Sequence, residues 1–195
     1  MKENIYIFAG GQSSRFGGNP KILETYNYNK EVLKIFFNVY IVTSKEIFPK
    51  ISHLDADFII QEMGNGSGQD VFNLLTKLKS PAFVAWSDVF YSEDNIIDII
   101  RCSENKDNCM TVTQRKNPYI SIVADDGKIV QYKKEQKIGV QDNSLFYIHN
   151  LKEASEEFMD MAIKNDFHTY MAETKSEYFN TKEELQELKL SKNLV

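Results

Sequence analysis

Strand-length apolar runs alternate with amphipathic helical segments along this 195-residue chain, and that alternation limits the fold more than any other feature. Before residue 135 the runs are Ile5-Tyr6-Ile7-Phe8, Val39-Tyr40-Ile41-Val42, Phe58-Ile59-Ile60, Phe83-Val84-Ala85-Trp86, Met110-Thr111-Val112-Thr113 and Tyr119-Ile120-Ser121-Ile122-Val123. The first four do not alternate polar with apolar residues, which suits strands covered on both faces, as in a parallel sheet. Between them, Val32, Leu33, Phe36 and Phe37 have helical spacing, and Val71, Leu74, Leu75 and Leu78 fit the i, i+3, i+4, i+7 template. Ser92, followed by Glu93 and Asp94, reads as an N-cap with an acidic first turn for a helix through Ile96, Ile97, Ile99 and Ile100. The order predicts an α/β fold with a doubly wound, mostly parallel central sheet of Rossmann-like type.

Past residue 119 the pattern changes. Tyr119–Val123, Lys128–Tyr132 and Leu145–Ile148 read as strands, the first two joined by Asp125-Asp126-Gly127, a hairpin signal. A helix is expected from about Leu151 to Asn165, and Thr181-Lys182-Glu183-Glu184 is a capping box opening a last helix with Leu185 and Leu188 on its apolar face. No repeat or Pro/Gly/Ser linker divides the chain, so residues 1–195 are expected to form one domain with a small β-hairpin insertion. The net charge of −5, without a long basic run, argues against nucleic-acid or anionic-membrane partners. No apolar run approaches bilayer length and the start lacks a signal-peptide pattern, so a cytoplasmic location is expected. Cys102 and Cys109 are too few for a disulfide framework and are expected to be reduced and inert.

The chemistry concentrates in Phe8-Ala9-Gly10-Gly11-Gln12-Ser13-Ser14-Arg15-Phe16-Gly17-Gly18-Asn19-Pro20-Lys21, directly after the first strand. Doubly wound sheets bind ligands at strand carboxyl ends. Glycines there let backbone N–H groups close on phosphate oxygens, Ser13 and Ser14 add hydroxyls, and Arg15 and Lys21 add two cations. That combination points to a polyphosphate. It is not a P-loop, since no glycine stands where GxxxxGK[ST] requires, nor a GxGxxG fingerprint, since Gly10 and Gly11 are adjacent.

The segment resembles the glycine loop of the nucleotidyltransferases with a GT-A-like α/β fold. Gly10 to Gly18 is most similar to the molybdenum-cofactor guanylyltransferases, whereas Pro20-Lys21 resembles the cytidylyltransferases and sugar-phosphate nucleotidyltransferases. The resemblance implies a Mg²⁺-dependent enzyme that transfers NMP from an NTP (CTP, GTP or UTP) to a phosphorylated small-molecule acceptor, a sugar or alcohol phosphate, and releases pyrophosphate. Ala9, Gly10, Gly11, Gln12, Ser13 and Ser14 would bind the nucleotide, and Arg15 and Lys21 would be catalytic. The alternatives are a molybdenum cofactor guanylyltransferase and an inactive nucleotide-binding protein. Oligomeric state is left open.

Three further segments fit that resemblance. The strand through Trp86 ends in Ser87-Asp88, where the family carries a metal-binding aspartate after glycine; a turn cap is the competing reading of Asp88. Gly64, Asn65, Gly66 and Ser67 resemble the family loop that contacts base and ribose, and equally suit a flexible entry to a helix. Asn180 resembles the family's second metal ligand, although a neutral amide is a weaker ligand for Mg²⁺ than a carboxylate. Lys128, Lys133, Lys134 and Lys137 read as a solvated charged face, with an acceptor-phosphate role as the lesser alternative. His53, His149 and His168 have no metal or triad spacing.

Overall fold

The computed structural model describes residues 2–11, 16–64, 66–79, 81–134 and 136–192. Its elements are β1 (Glu3–Phe8), α1 (Ile22–Phe36), β2 (Phe37–Thr43), α2 (Phe48–Ile51), β3 (Asp57–Ile60), α3 (Ser67–Leu78), β4 (Ala82–Trp86), β5 (Val89–Phe90), α4 (Glu93–Ser103), β6 (Cys109–Lys116), β7 (Ile120–Asp125), β8 (Lys128–Lys134), β9 (Ile138–Ile148), α5 (Phe158–Lys164), β10 (His168–Met171), β11 (Glu177–Tyr178) and α6 (Lys182–Lys192). Nine strands form one sheet in the order β3-β2-β1-β4-β9-β6-β10-β8-β7, and β5 pairs with β11 apart from it.

The predicted doubly wound sheet is present. β3, β2, β1 and β4 run parallel, as do β6 and β10. Side chains leave β1 alternately to two packed faces, each apolar, so the sequence of the strand is continuously apolar. Ile5 and Ile7 join Leu33, Tyr26, Ile96 and Ile99 under α1 and α4. Tyr6 and Phe8 join Val71, Leu74, Phe158 and Met161 under α3 and α5. The Ser92 cap forms as expected: its hydroxyl accepts from Asn95 N, and Asn95 Oδ1 accepts from Ser92 N, closing a capping box.

Several boundaries differ from the sequence reading. Phe37 opens β2 instead of continuing α1, because its side chain is needed in the core against Phe83. The helix expected from Leu151 is only Phe158–Lys164. Asn165 explains the shortening: its Oδ1 accepts from Lys152 N and Glu153 N at 2.6 and 3.1 Å, and its Nδ2 donates to Glu153 O at 2.7 Å. Those bonds hold residues 152–153 in a non-helical path. β9 is longer than expected and antiparallel, wedged between β4 and β6. The β7–β8 hairpin turns at Asp126 and Gly127, φ 45° and 76°, the positive pair of a two-residue hairpin turn, and extends the outer edge of the main sheet. Cys102 and Cys109, expected as separate thiols, are joined in a disulfide with Cα atoms 6.3 Å apart. The short connection from α4 back to β6 brings the two positions side by side. No helix among the described residues is long and apolar enough to cross a membrane.

Candidate active site at the carboxyl edge of the sheet

The glycine loop leaves β1 at the edge where β4 also ends, since Ile5 to Phe8 lie beside Phe83 to Trp86 in parallel register. Gln12, Ser13, Ser14 and Arg15 fall outside the described residues, as does Asn65. Ala9 is fixed at the mouth of the loop, donating its N–H to Val42 O at 2.8 Å and accepting from Thr43 Oγ1 at 3.2 Å. The space above Gly11 is open, whereas a Cβ at Gly10 would overlap the Met63 thioether. Met63 therefore places the second glycine cluster against the first. Gly17 and Gly18, φ 71° and 75°, turn the chain back toward α1. Lys50 Nζ donates to Gly18 O.

Lys21 begins α1 and reaches across the edge. Its ammonium donates to Asp88 Oδ2 at 2.9 Å and to Phe179 O at 3.1 Å. The Lys21 side chain is 13% exposed and that of Asp88 33%, so this is a half-sheltered pair rather than a surface one. The next two turns of the same helix face grip the loop that carries Asp88. Thr25 Oγ1 donates to Ser87 O at 2.7 Å, and Asn29 Nδ2 donates to Val89 O at 2.7 Å while its Oδ1 accepts from Tyr91 N at 3.0 Å. Lys21, Thr25 and Asn29 are four residues apart, so they form one polar stripe along α1. The sequence reading missed Thr25 and Asn29. The signal available was an i+4 polar series continuing from Lys21 on a helix that otherwise buries Ile22, Tyr26 and Leu33.

The turn that carries Asp88 is also held from the far side. β5 pairs with β11, and Phe179 N donates to Asp88 O at 3.3 Å, which brings Asn180 to the flank of the same turn. Asn180 N and Thr181 N donate to Glu184 Oε2, and Glu184 N to Thr181 Oγ1, so the expected capping box fixes the entry to α6. Phe16, Phe90, Phe179 and Leu185 pack as a separate apolar cluster that seats α6 on the end of the glycine loop.

A buried polar strap positions the segment leading to β11. Asn143 Oδ1 accepts from Thr113 Oγ1, Arg115 Nη2 and Ser176 N, and its Nδ2 donates to Thr174 O. Arg115 also donates to Ser176 O at 2.7 Å and stacks on Tyr178, 5.3 Å from the ring centre. Burial lowers the Arg115 pKa from its ordinary value. Burial, and next the Asp88 charge, push the Tyr91 hydroxyl well above its ordinary range. It stays protonated within 2.9 Å of both Trp86 O and Ser144 O. Burial also raises the Asp142 carboxyl.

The second glycine cluster has a structural account at two of its positions. Cβ atoms at Gly66 and Gly68 would strike the backbone of Glu156 and of Ser155 and Glu157, and Gly68 N donates to Glu156 O at 2.9 Å. Ser67 Oγ accepts from Phe158 N. Gly64, φ 136°, is open on the side a Cβ would occupy. Gln61, beside it, is buried, and its Oε1 has no partner among the described residues.

Among the described residues no group of three or more His, Cys, Asp or Glu side chains could hold a metal ion. By donor chemistry alone, the Asp88 carboxylate and the Asn180 amide oxygen are of the type Mg²⁺ takes, one or two protein oxygens with water and phosphate completing its shell. Of the lysines in the hairpin region, Lys134 and Lys137 line a cleft of about 410 Å³ with Asn117 and Tyr119, beyond the end of β6. Lys128 lies 3.5 Å from Asp166. A cleft of about 390 Å³ among Lys2, Lys34, Tyr40 and Asp57 lies at the opposite, amino end of the strands and touches none of the groups above.

No protein-family model matches the chain, and no curated protein matches it in sequence. Solved structures do match. A putative glucose-1-phosphate thymidylyltransferase from Bacillus anthracis superposes with a TM-score of 0.75 at 16% identity, covering 99% of this chain and 96% of that one. The inositol-1-phosphate CTP transferase from T. maritima gives 0.72 at 15% identity, with 96% of each chain covered. HddC from Yersinia pseudotuberculosis, complexed with GMP-PN, gives 0.70 at 15% identity, covering 95% of this chain and 97% of that one. The chain thus has the mixed α/β fold, with its large, mostly parallel sheet, of the sugar-phosphate nucleotidyltransferases.

Proposed function

We propose that the chain, as one domain over residues 1–195, is a Mg²⁺-dependent nucleotidyltransferase that transfers NMP from an NTP to a sugar or alcohol phosphate and releases pyrophosphate. The observation that carries the proposal is the meeting of Lys21 and Asp88 at 2.9 Å on the edge where the glycine loop leaves β1. Joining like-charged reactants needs a cation to neutralise phosphate and a carboxylate to hold a hard cation, and Lys21 and Asp88 bring one of each to that edge.

In this reading an oxygen of the acceptor phosphate attacks the α-phosphorus in line, and the bond to the β-phosphate bridging oxygen breaks. The acceptor phosphate is already ionised near neutral pH, so no general base is needed. Backbone N–H groups from Gly10 to Ser14, with Arg15, hold the β- and γ-phosphates, and Lys21 meets the charge that grows at the α-phosphate. Asp88 and Asn180 would hold Mg²⁺, which polarises phosphoryl oxygens when bound. Gly64, Asn65, Gly66 and Ser67 would meet the base and ribose; the packing of Gly66 and Ser67 leaves Gly64 more open than either. The three similar structures carry thymidylyl, CTP and guanine-nucleotide names, so their likeness does not favour one base.

Pyrophosphate release measured over four NTPs and a panel of sugar and alcohol phosphates, with Mg²⁺ and with EDTA, tests the proposal. Release that needs both an acceptor and the divalent cation is expected. Nucleotide binding without release under any pairing would leave only a nucleotide-binding protein.

A further inference from the structure

Lys21 has two claims on it that cannot be met together. Two of its three ammonium hydrogens are committed to Asp88 Oδ2 and Phe179 O. Both acceptors belong to the turn and strand end that carry the proposed metal ligands, Asp88 and Asn180. The ammonium also lies 5.7 Å from the centre of the Phe179 ring, so it rests against this wall. An ammonium at 2.9 Å from Asp88 Oδ2 holds one of the two oxygens that a cation on this carboxylate would use, and the like charges would repel each other there.

We propose that Lys21 is a resident competitor for the divalent cation at Asp88, and that metal arrival releases it toward the phosphates. The inference rests on the assignment of Asp88 as a metal ligand. The surroundings make Lys21 the part that moves. Asp88 sits on a turn fixed by Thr25, Asn29 and Phe179 N, whereas the lysine hangs on a flexible four-carbon stem. The same stem starts three residues after Gly18, at the exit of the glycine loop, the segment proposed to bind the phosphates. One event then loads the metal and delivers the phosphate cation, which couples the two ligands: either binds more weakly without the other. The apparent metal dissociation constant is the intrinsic one divided by the fraction of molecules with Lys21 disengaged.

Mn²⁺ binding to the full chain, followed by electron paramagnetic resonance without nucleotide, measures that fraction. Lys21→Met is expected to bind Mn²⁺ about tenfold more tightly than wild type, and Asp88→Asn to lose the site. Lys182→Gln is the control for charge alone, because Lys182 lies beside Gly17 and Phe16 and has no contact with Asp88; its affinity should stay within about twofold. A second readout needs no variant. Acetylation of Lys21 by a soluble acylating reagent, scored by peptide mass spectrometry, should speed up several-fold when Mg²⁺ is added and slow again when NTP follows. Unchanged or weaker Mn²⁺ binding in Lys21→Met, an equal gain in Lys182→Gln, or Lys21 labelling indifferent to Mg²⁺ would each overturn the competition while Asp88→Asn still showed the site to be real. Wild-type Mn²⁺ affinity in Asp88→Asn would instead overturn the metal assignment beneath it.

Discussion

Asn29 is fully buried, and its amide bridges two backbone groups, Val89 C=O and Tyr91 N–H, at 2.7 and 3.0 Å. Replacing Asn29 with Ala strands both beside the Asp88 turn. A buried backbone group without a partner costs about 1–3 kcal/mol. Water entering the small space left behind recovers part of this, so a loss of about 2–4 kcal/mol is expected. Against a total stability of about 5–15 kcal/mol the variant still folds, with a Tm lower by roughly 5–15 °C. Asn29→Asp dissects the bridge. It keeps an acceptor for Tyr91 N but turns a lone pair toward Val89 O, and this repulsion holds only while the new carboxyl is ionised. Its deficit should therefore shrink as the pH falls through the raised pKa of the buried acid, where a proton restores a donor. Urea titration followed by fluorescence of Trp86, the one tryptophan in the chain and a neighbour of the turn, reports both effects. A loss below about 0.5 kcal/mol in Asn29→Ala, or a deficit in Asn29→Asp that is independent of pH, would refute the bridge as the anchor of this turn.

Asp88→Asn should cut turnover roughly 10²-fold or more at saturating Mg²⁺ while the chain still folds; near wild-type rates would remove the carboxylate from the mechanism. Arg15→Ala should raise the KM for NTP, whereas Lys21→Ala should chiefly lower kcat, a split that steady-state kinetics at about 0.15 M salt resolves. One NTP should raise the Tm more than the other three in Mg²⁺ buffer, and equal shifts would mean that only the phosphates are read. Asp98 is buried on α4 with Oδ2 unpartnered among the described residues, and burial raises its pKa. The raised value means that the ionised form is penalised at neutral pH and that the penalty disappears as the pH falls below about 3.9, the ordinary value. Asp98→Asn should therefore be more stable than wild type at pH 7, by up to about 1 kcal/mol, with the advantage fading in urea titrations at lower pH.

The sheet was legible because its strands are apolar on both faces and its helices carry a stripe, so local pattern and tertiary role agree at Ile5, Val84 or Leu74. What escaped the pattern is structure that exists only through distant partners. β10 and β11 are short and half-exposed, and β11 is ordered by β5, far away in sequence. The helix expected from Leu151 was stopped by one amide, Asn165, whose reach to residues 152–153 no periodicity records. At the site, Lys21 and Asp88 stood out by residue type and position. Thr25, Asn29, Asn143 and Ser176 did not, because a buried polar residue that satisfies backbone groups looks in sequence like an ordinary surface one. The glycines at 66 and 68 were visible, but their packing against residues 155–157 was not.

The antiparallel strand wedged between β4 and β6 has a consequence for how the protein is made. As the chain leaves the ribosome, β4 can join β1 early, yet its other neighbour does not exist until residue 148 has emerged. The Asp88 turn waits longer still, for the segment ending in β11. Contacts this remote are the slowest to close. The nascent molecule therefore passes through a stage with a half-built sheet whose central edge lies bare, the state most in need of a chaperone's shelter. The turn that carries Asp88 takes its final form only once residues 177–178 have emerged to pair with it.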